Sequence, residues 1–239
     1  MYLLHQSRFD MMPLLDPLVL YAPWHKNSKK KKFKGYWRGL ELGINGLMTN
    51  DNSFNLPSNV SYLDLNYGKS WFVNLNFMEL KLPIYKNNLG VLSGLSLNLN
   101  NYRFLNKNML LGSTDSITYT YDTTSGFNYT KNKISAIYLK IPLLFEIYLP
   151  QHKKFHFLTG IYGSLLIGSH TKTLYKEGSR KTKNKNHDIP YLNPLQYGVT
   201  GRIGIGHLTF FVDYNFSLLF KKDKGPALHP INMGIAFRY

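Results

Sequence analysis

The stretch "INMGIAFRY" (231–239) sets Ile231, Met233, Ile235, Phe237 and Tyr239 against Asn232, Gly234, Ala236 and Arg238. A strict two-residue period is the mark of a β-strand, whose successive side chains point to opposite faces. One face here is apolar and bulky, the other small or polar. Two arrangements accommodate such a strand: a soluble sandwich or barrel with the apolar face turned inward, or a membrane barrel with that face turned to lipid. The choice decides the compartment and the class of function.

The same alternation recurs upstream in "YWRGLELGINGLM" (36–48), "SWFVNLNFM" (70–78), "LGVLSGLSLNLNNY" (89–102), "SAIYLKIPLLFEIYL" (135–149), "FHFLTGIYGSLLIGSH" (155–170), "LQYGVTGRIGI" (195–205) and "LTFFVDYNFSL" (208–218), which with the last segment makes eight strands. Their connections are lopsided. After the first, third and fifth strands come long polar stretches (49–68, 105–132 and 171–194), while the second, fourth and sixth are followed by "PIYKNN", "PQHKK" and "GH". In an antiparallel meander, alternate connections lie at alternate ends, so one rim carries long loops and the other tight turns. Outer-membrane barrels have this asymmetry, with long loops extracellular and short turns periplasmic.

A soluble barrel such as a lipocalin would show water the second face of each strand, and that face should then be rich in Lys and Glu. Here it is mostly Gly, Asn, Ser and Thr, with single charges in mid-strand. Small side chains suit the crowded interior of a narrow barrel. The fold class expected is therefore all-β: an eight-stranded antiparallel up-and-down transmembrane β-barrel with long extracellular loops and short periplasmic turns, over residues 33–239. Residues 1–32 form an N-terminal extension, basic at its end.

Composition agrees with this class. The 239 residues fit one barrel, 15% of them are aromatic, and 18 are Tyr. The absence of cysteine removes disulfides, thiolate nucleophiles and cysteine zinc sites. No run approaches the roughly 18 apolar residues of a membrane helix, but membrane strands need only about 9 to 11 residues and escape that test. The first segment, "MYLLHQSRFDMMPLLDPLVLYAP", makes a poor signal peptide, since it lacks a basic start and is broken by Asp10, Pro13, Asp16 and Pro17. Either the true signal is missing from this version or the start is not the natural one.

The net charge of +16 is concentrated in "KNSKKKKFK" (26–34) and "KTLYKEGSRKTKNKNH" (172–187), both outside the alternating segments. Such runs bind nucleic acid by displacing counterions from phosphates, form solvated tracts, or contact anionic lipid headgroups. In a membrane barrel no nucleic-acid partner is expected. The partners expected are outer-membrane lipid and lipopolysaccharide, and another envelope protein. Lys172, Lys176, Arg180, Lys181, Lys183 and Lys185 then form an extracellular basic loop.

Charges on the inward faces must be paired. Glu41, Glu146 and Asp213 stand against Lys140, Arg202 and Arg238, three acids for three bases, and are expected to form a barrel-interior network. That network could line a conduit, but side chains usually fill so narrow a lumen, and Trp37, Tyr138, Tyr162 and Phe211 add bulk to a plug. Ser169 and His170 offer the nearest approach to a hydrolytic pair, yet adjacency puts them on opposite faces of one strand. No phosphate loop, metal-ligand spacing or nucleophile turn occurs, so neither cofactor nor enzymatic activity is expected.

The ending Phe237, Tyr239 resembles the aromatic-ending last strand of bacterial outer-membrane proteins, which implies a C-terminal signal for the barrel-insertion machinery. More narrowly, "FKGYWRGLELGINGL", "YGKSWFVNLNFMELKLPI", "GLSLNLNNYRF", "YLKIPLLFEI" and "SHTK" ahead of a Lys-rich stretch resemble the PorT-like outer-membrane β-barrel proteins of Bacteroidota. The resemblance runs from about Phe33 to Tyr239 and is most specific around Ile141, Pro142, Leu143 and Leu144. It implies a barrel in the bacterial outer membrane without enzymatic activity. It also implies a structural or protein-interaction role, or an accessory role in a secretion or assembly machine. A soluble lipocalin-like carrier is the remaining alternative.

Overall fold

The computed structural model describes residues 33, 35–85, 88–113, 115–149, 154–187 and 191–238. Among them are the strands β1 (Gly39–Thr49), β2 (Trp71–Tyr85), β3 (Leu89–Arg103), β4 (Met109–Ser113), β5 (Ile117–Tyr121), β6 (Phe127–Tyr148), β7 (Phe155–Glu177), β8 (Arg180–His187), β9 (Leu195–Ile205), β10 (Leu208–Asn215) and β11 (Leu228–Arg238). Eight of these pair antiparallel in the order β1-β2-β3-β6-β7-β9-β10-β11, and β11 returns to β1 with Gly39 opposite Arg238 and Thr49 opposite Leu228. These eight strands thus close into a ring, as a membrane requires, and β8 pairs only with β7, outside the ring. Residues 1–32, Lys34 and Tyr239 lie outside the described residues, so the N-terminal extension and one of the two aromatics of the terminal signal have no structural account.

The apolar faces point outward. Ile141, Ile161, Leu165, Tyr197 and Phe210 are each more than half exposed, and Leu143, Phe145, Ile203 and Phe237 nearly so. The inward polar positions of the same strands, among them Asn132, Lys140, Ser164, Thr200, Arg202 and Asp213, are buried. This overturns the lipocalin-like alternative: a soluble barrel would strand its apolar surface in water, and a continuous exposed apolar belt is the lipid-facing band of a membrane barrel.

The pleat is broken twice where it matters. Between β2 and β3 the register shifts from Asn76 opposite Ser96 to Met78 opposite Leu95, so Phe77 is an extra residue on β2. A bulge of this kind moves every later side chain to the other face. Glu79, which strict alternation would send outward with Phe77, is buried. Ile167 is a second such residue, between Leu166 opposite Tyr138 and Gly168 opposite Ile137.

Much of what the sequence reads as loop is strand. β6 begins at Phe127 and β7 continues to Glu177, where it turns into β8 and pairs back from Glu177 opposite Arg180 to His170 opposite His187. Gly178 (φ +56°) supplies the positive φ that this two-residue turn needs, as Gly206 (φ +64°) does between β9 and β10. The basic segment is therefore an extended hairpin, not the irregular loop expected of Lys172, Lys176, Arg180, Lys181, Lys183 and Lys185. β4 and β5 form a separate small hairpin at the same rim.

Candidate functional site

The lumen is filled in three layers. In the middle, Arg202 of β9 reaches across to Glu41 of β1, Nη1 to Oε1 at 2.6 Å, and lies 3.6 Å from Asp213 of β10. Lys140 of β6 closes on the other oxygen of Asp213 at 2.5 Å. Two acids and two bases drawn from four walls thus form a net-neutral chain. All four are essentially inaccessible to solvent. Such burial is tolerable only when the remaining polar valences are filled. Asn74 and Asn76 donate to the two oxygens of Glu41 at 2.9 and 2.6 Å, and Arg202 Nε donates to Thr200 Oγ1 at 3.1 Å. Aromatic faces cover the cations: the Arg202 guanidinium lies 4.5 Å from the Trp37 ring and 5.0 Å from that of Phe211, and Lys140 Nζ lies 3.8 Å from that of Tyr162.

At the short-turn end, the chain ahead of β1 folds into the barrel mouth. Phe33, Tyr36 and Trp37 pack with Leu92, Leu144, Tyr148 and Leu158. Gly90 leaves the room that Phe33 occupies, since a Cβ there would sit 2.4 Å from the ring. Tyr36 stacks on His156 with centroids 3.9 Å apart, and the Arg238 guanidinium lies 4.6 Å from the centre of the Tyr36 ring. At the long-loop end, Tyr62, Leu63 and Leu65, Met109 of β4, Ile117 of β5, Leu192 and Phe220 close over Tyr102, Ile134 and Tyr138.

Of the six charges expected in one network, Glu41, Lys140, Arg202 and Asp213 meet, and Glu146 and Arg238 do not join them. Glu146 is buried three inward positions further along β6 than Lys140, roughly 20 Å of strand away, and its side-chain neighbour there is Tyr148. The acid that sequence reading misses is Glu79, which accepts from the Trp37 backbone N–H at 3.0 Å and pairs with Lys81 at 2.9 Å. Only the Phe77 bulge brings it inside, and alternation gives no sign of that. Trp37, Tyr138, Tyr162 and Phe211 are all buried in the lumen, as bulk for a plug requires.

Ser169 and His170 lie opposite Ala136 and Ser135, on the two faces of β7, and His170 sits beside His187, ring centroids 6.0 Å apart. Among the described residues no three His, Asp or Glu side chains converge to hold a metal.

On the outer surface, beyond the apolar belt, basic residues line up across strands. Arg103 of β3 is directly opposite Lys133 of β6, Lys133 opposite Lys172 of β7, and Lys172 opposite Lys185 of β8. The Lys133 ammonium is pushed down to about 8 by burial and by the charges of Lys131, Lys172, Arg103 and Lys185.

A closed eight-stranded barrel with an apolar exterior and a polar, self-filled interior defines an outer-membrane β-barrel protein. The outer membrane protein β-barrel domain family matches residues 27–219, and the chain belongs to that family; its compartment is the bacterial outer membrane. The crystal structure of Ail, the attachment invasion locus protein of Yersinia pestis, is similar over 84% of this chain and 99% of its own, at 10% identity and a TM-score of 0.30. No curated protein matches the chain in sequence.

Proposed function

We propose that the protein is a non-enzymatic structural or interaction component of the outer membrane, with the long-loop rim extracellular and the short turns periplasmic. The observation that carries this reading is the filled lumen: an aromatic mouth, a neutral ion chain and an apolar cap occupy its height in turn. A barrel so occupied has no conduit to offer, and what it presents to its surroundings is its rim. Purified protein in planar bilayers should show no steady conductance. Sustained single-channel openings whose ion selectivity changes on Glu146→Gln overturn the plug.

The PorT-like resemblance supports a narrower form of the same proposal, in which the barrel is an accessory of a secretion or assembly complex. Insertion by the barrel-assembly machinery through Phe237 and Tyr239 belongs to it as well. Affinity capture after mild detergent extraction should retain a defined envelope protein in constant proportion. Recovery of the barrel alone, at every detergent concentration that leaves it folded, counts against an accessory role.

A further inference from the structure

We infer that the cross-strand row Arg103, Lys133, Lys172 and Lys185 is a binding site for the phosphate groups of a membrane glycolipid whose acyl chains lie along the apolar belt beneath it. The inference rests on the proposed orientation, which puts this rim in the outer leaflet.

The register places the row. Reading outward along β3, β6 and β7, the outer face carries Leu99, Ile137 and Gly168, then Asn101, Ser135 and His170, then Arg103, Lys133 and Lys172. Each step is about 7 Å of strand. Within two steps the surface passes from hydrocarbon-compatible to neutral polar to cationic, the order in which an amphiphile presents tail, linker and phosphate. The neighbouring inward positions, Tyr102 and Ile134, are buried, so the cations face outward. Across the row, three strand gaps span about 14 Å, wide enough for more than one phosphate.

Like charges directly opposite each other in a ladder are destabilising, and here four strands repeat the clash. No salt bridge reaches any of the four among the described residues. The lowered affinity of Lys133 for its proton comes first from its partial burial and then from the same crowding. Two of the side chains are nonetheless held in place: Arg103 Nη2 donates to the Thr130 carbonyl at 2.8 Å, and Lys133 Nζ donates to Asn101 Oδ1. An arrangement of held, uncompensated cations at the margin of an apolar belt fits a multiply charged anion with a hydrophobic body. A nucleic acid has no use for the belt, and a free phosphate none for the width of the row.

The test compares detergent-folded parent, Lys133→Gln, and the quadruple variant Arg103→Gln/Lys133→Gln/Lys172→Gln/Lys185→Gln for binding of fluorescent lipopolysaccharide. Heat-modifiable gel mobility identifies the folded fraction. Each lost charge-assisted contact is worth about tenfold in affinity, so the single variant should bind about tenfold more weakly and the quadruple variant weaker still. Dephosphorylated lipopolysaccharide should bind the parent as weakly as intact lipopolysaccharide binds the quadruple variant. Equal binding of intact and dephosphorylated lipid by the parent, or unchanged binding by the folded Lys133→Gln variant, overturns the site. Competition by inorganic phosphate at the same concentration as the lipid would reassign it to a free anion. Failure of the orientation shows separately, as protection of the β7–β8 hairpin from protease added to intact cells.

Discussion

Two clusters of charge sit on opposite sides of the same wall. Inside, Glu41, Arg202, Asp213 and Lys140 alternate in sign, touch one another and exclude water. Outside, Arg103, Lys133, Lys172 and Lys185 share one sign, lie on directly paired positions and make no salt bridge among the described residues. Both clusters draw on β6, Lys140 inward and Lys133 outward. The difference is one of solvent. A buried ion must bring its counterion with it, because several kcal/mol of desolvation per ion must be offset within the fold. An ion at a wet rim can leave that partner to the surroundings. Neutrality thus marks structure here, and imbalance marks a surface open to a ligand.

The comparison breaks most sharply if the inner chain proves dispensable. Asp213→Ala leaves Lys140 and half of Arg202 unpaired in the lumen and should cost about 3–5 kcal/mol of folding stability, read as the urea midpoint of detergent-refolded protein. Lys140→Met combined with Asp213→Leu should recover a large part of that loss, since it removes both charges at once. If the double variant is no better than Asp213→Ala, the pair is not coupled.

Next in size is the belt between the clusters. Leu97→Arg and Ile141→Arg, on the outward face near mid-membrane, should each cost roughly 2–4 kcal/mol, measured by refolding into vesicles. Folding as efficient as the parent's would mean that this face does not meet lipid.

The outer row should respond to pH. Lys133 loses its proton at about 8 in the folded protein, against about 10.4 for an unperturbed lysine. A lysine whose affinity for its proton is lowered by folding destabilises the fold fully below the lower value, and that penalty fades as pH rises toward the higher one. Stability in detergent should therefore increase from about pH 8 to about pH 10, and Lys133→Gln should flatten that rise. A fall over the same range contradicts the burial and crowding of Lys133. Smallest of all should be the effect on folding of replacing Lys172, Lys176, Arg180, Lys181, Lys183 and Lys185 with Ser. Most of these residues are exposed on the hairpin, where substitutions change stability by about 0.5 kcal/mol or less.

The barrel was legible because its signal is doubled: each membrane strand is apolar on one face for lipid and small or polar on the other for a narrow lumen. "SAIYLKIPLLFEIYL" and "LQYGVTGRIGI" need no further context. The hairpin arms were illegible for the complementary reason. Residues 127–134 and 171–187 stand above the lipid, where neither face must be apolar, so "KTKNKNH" forms a strand with no period to betray it. The site was legible in part. Pairing of inward acids and bases follows from burial alone, which gave Glu41, Lys140, Arg202 and Asp213. Glu79 and the separation of Glu146 from the chain depend on the Phe77 bulge and on height within the barrel, which alternation does not encode. The outer row depends on register between strands far apart in sequence, and Arg103 and Lys133 carry no local mark of it.

The seam between β1 and β11 has a consequence for the order of assembly. Gly39 pairs with Arg238 and Thr49 with Leu228, so the contacts that close the barrel join almost the two ends of the described chain. Loop closure of that length cannot come early, because the entropy of the whole intervening chain must be lost before the seam returns any bonding. The hairpins β2–β3, β6–β7 and β9–β10 are local and can form first. Until the seam zips, β1 and β11 are both bare edges, and an open sheet with bare edges is a template for any other strand in reach. The interval before closure is therefore when this chain is most exposed to mispairing, and an escort that holds the free edge of β11 acts on the slowest step.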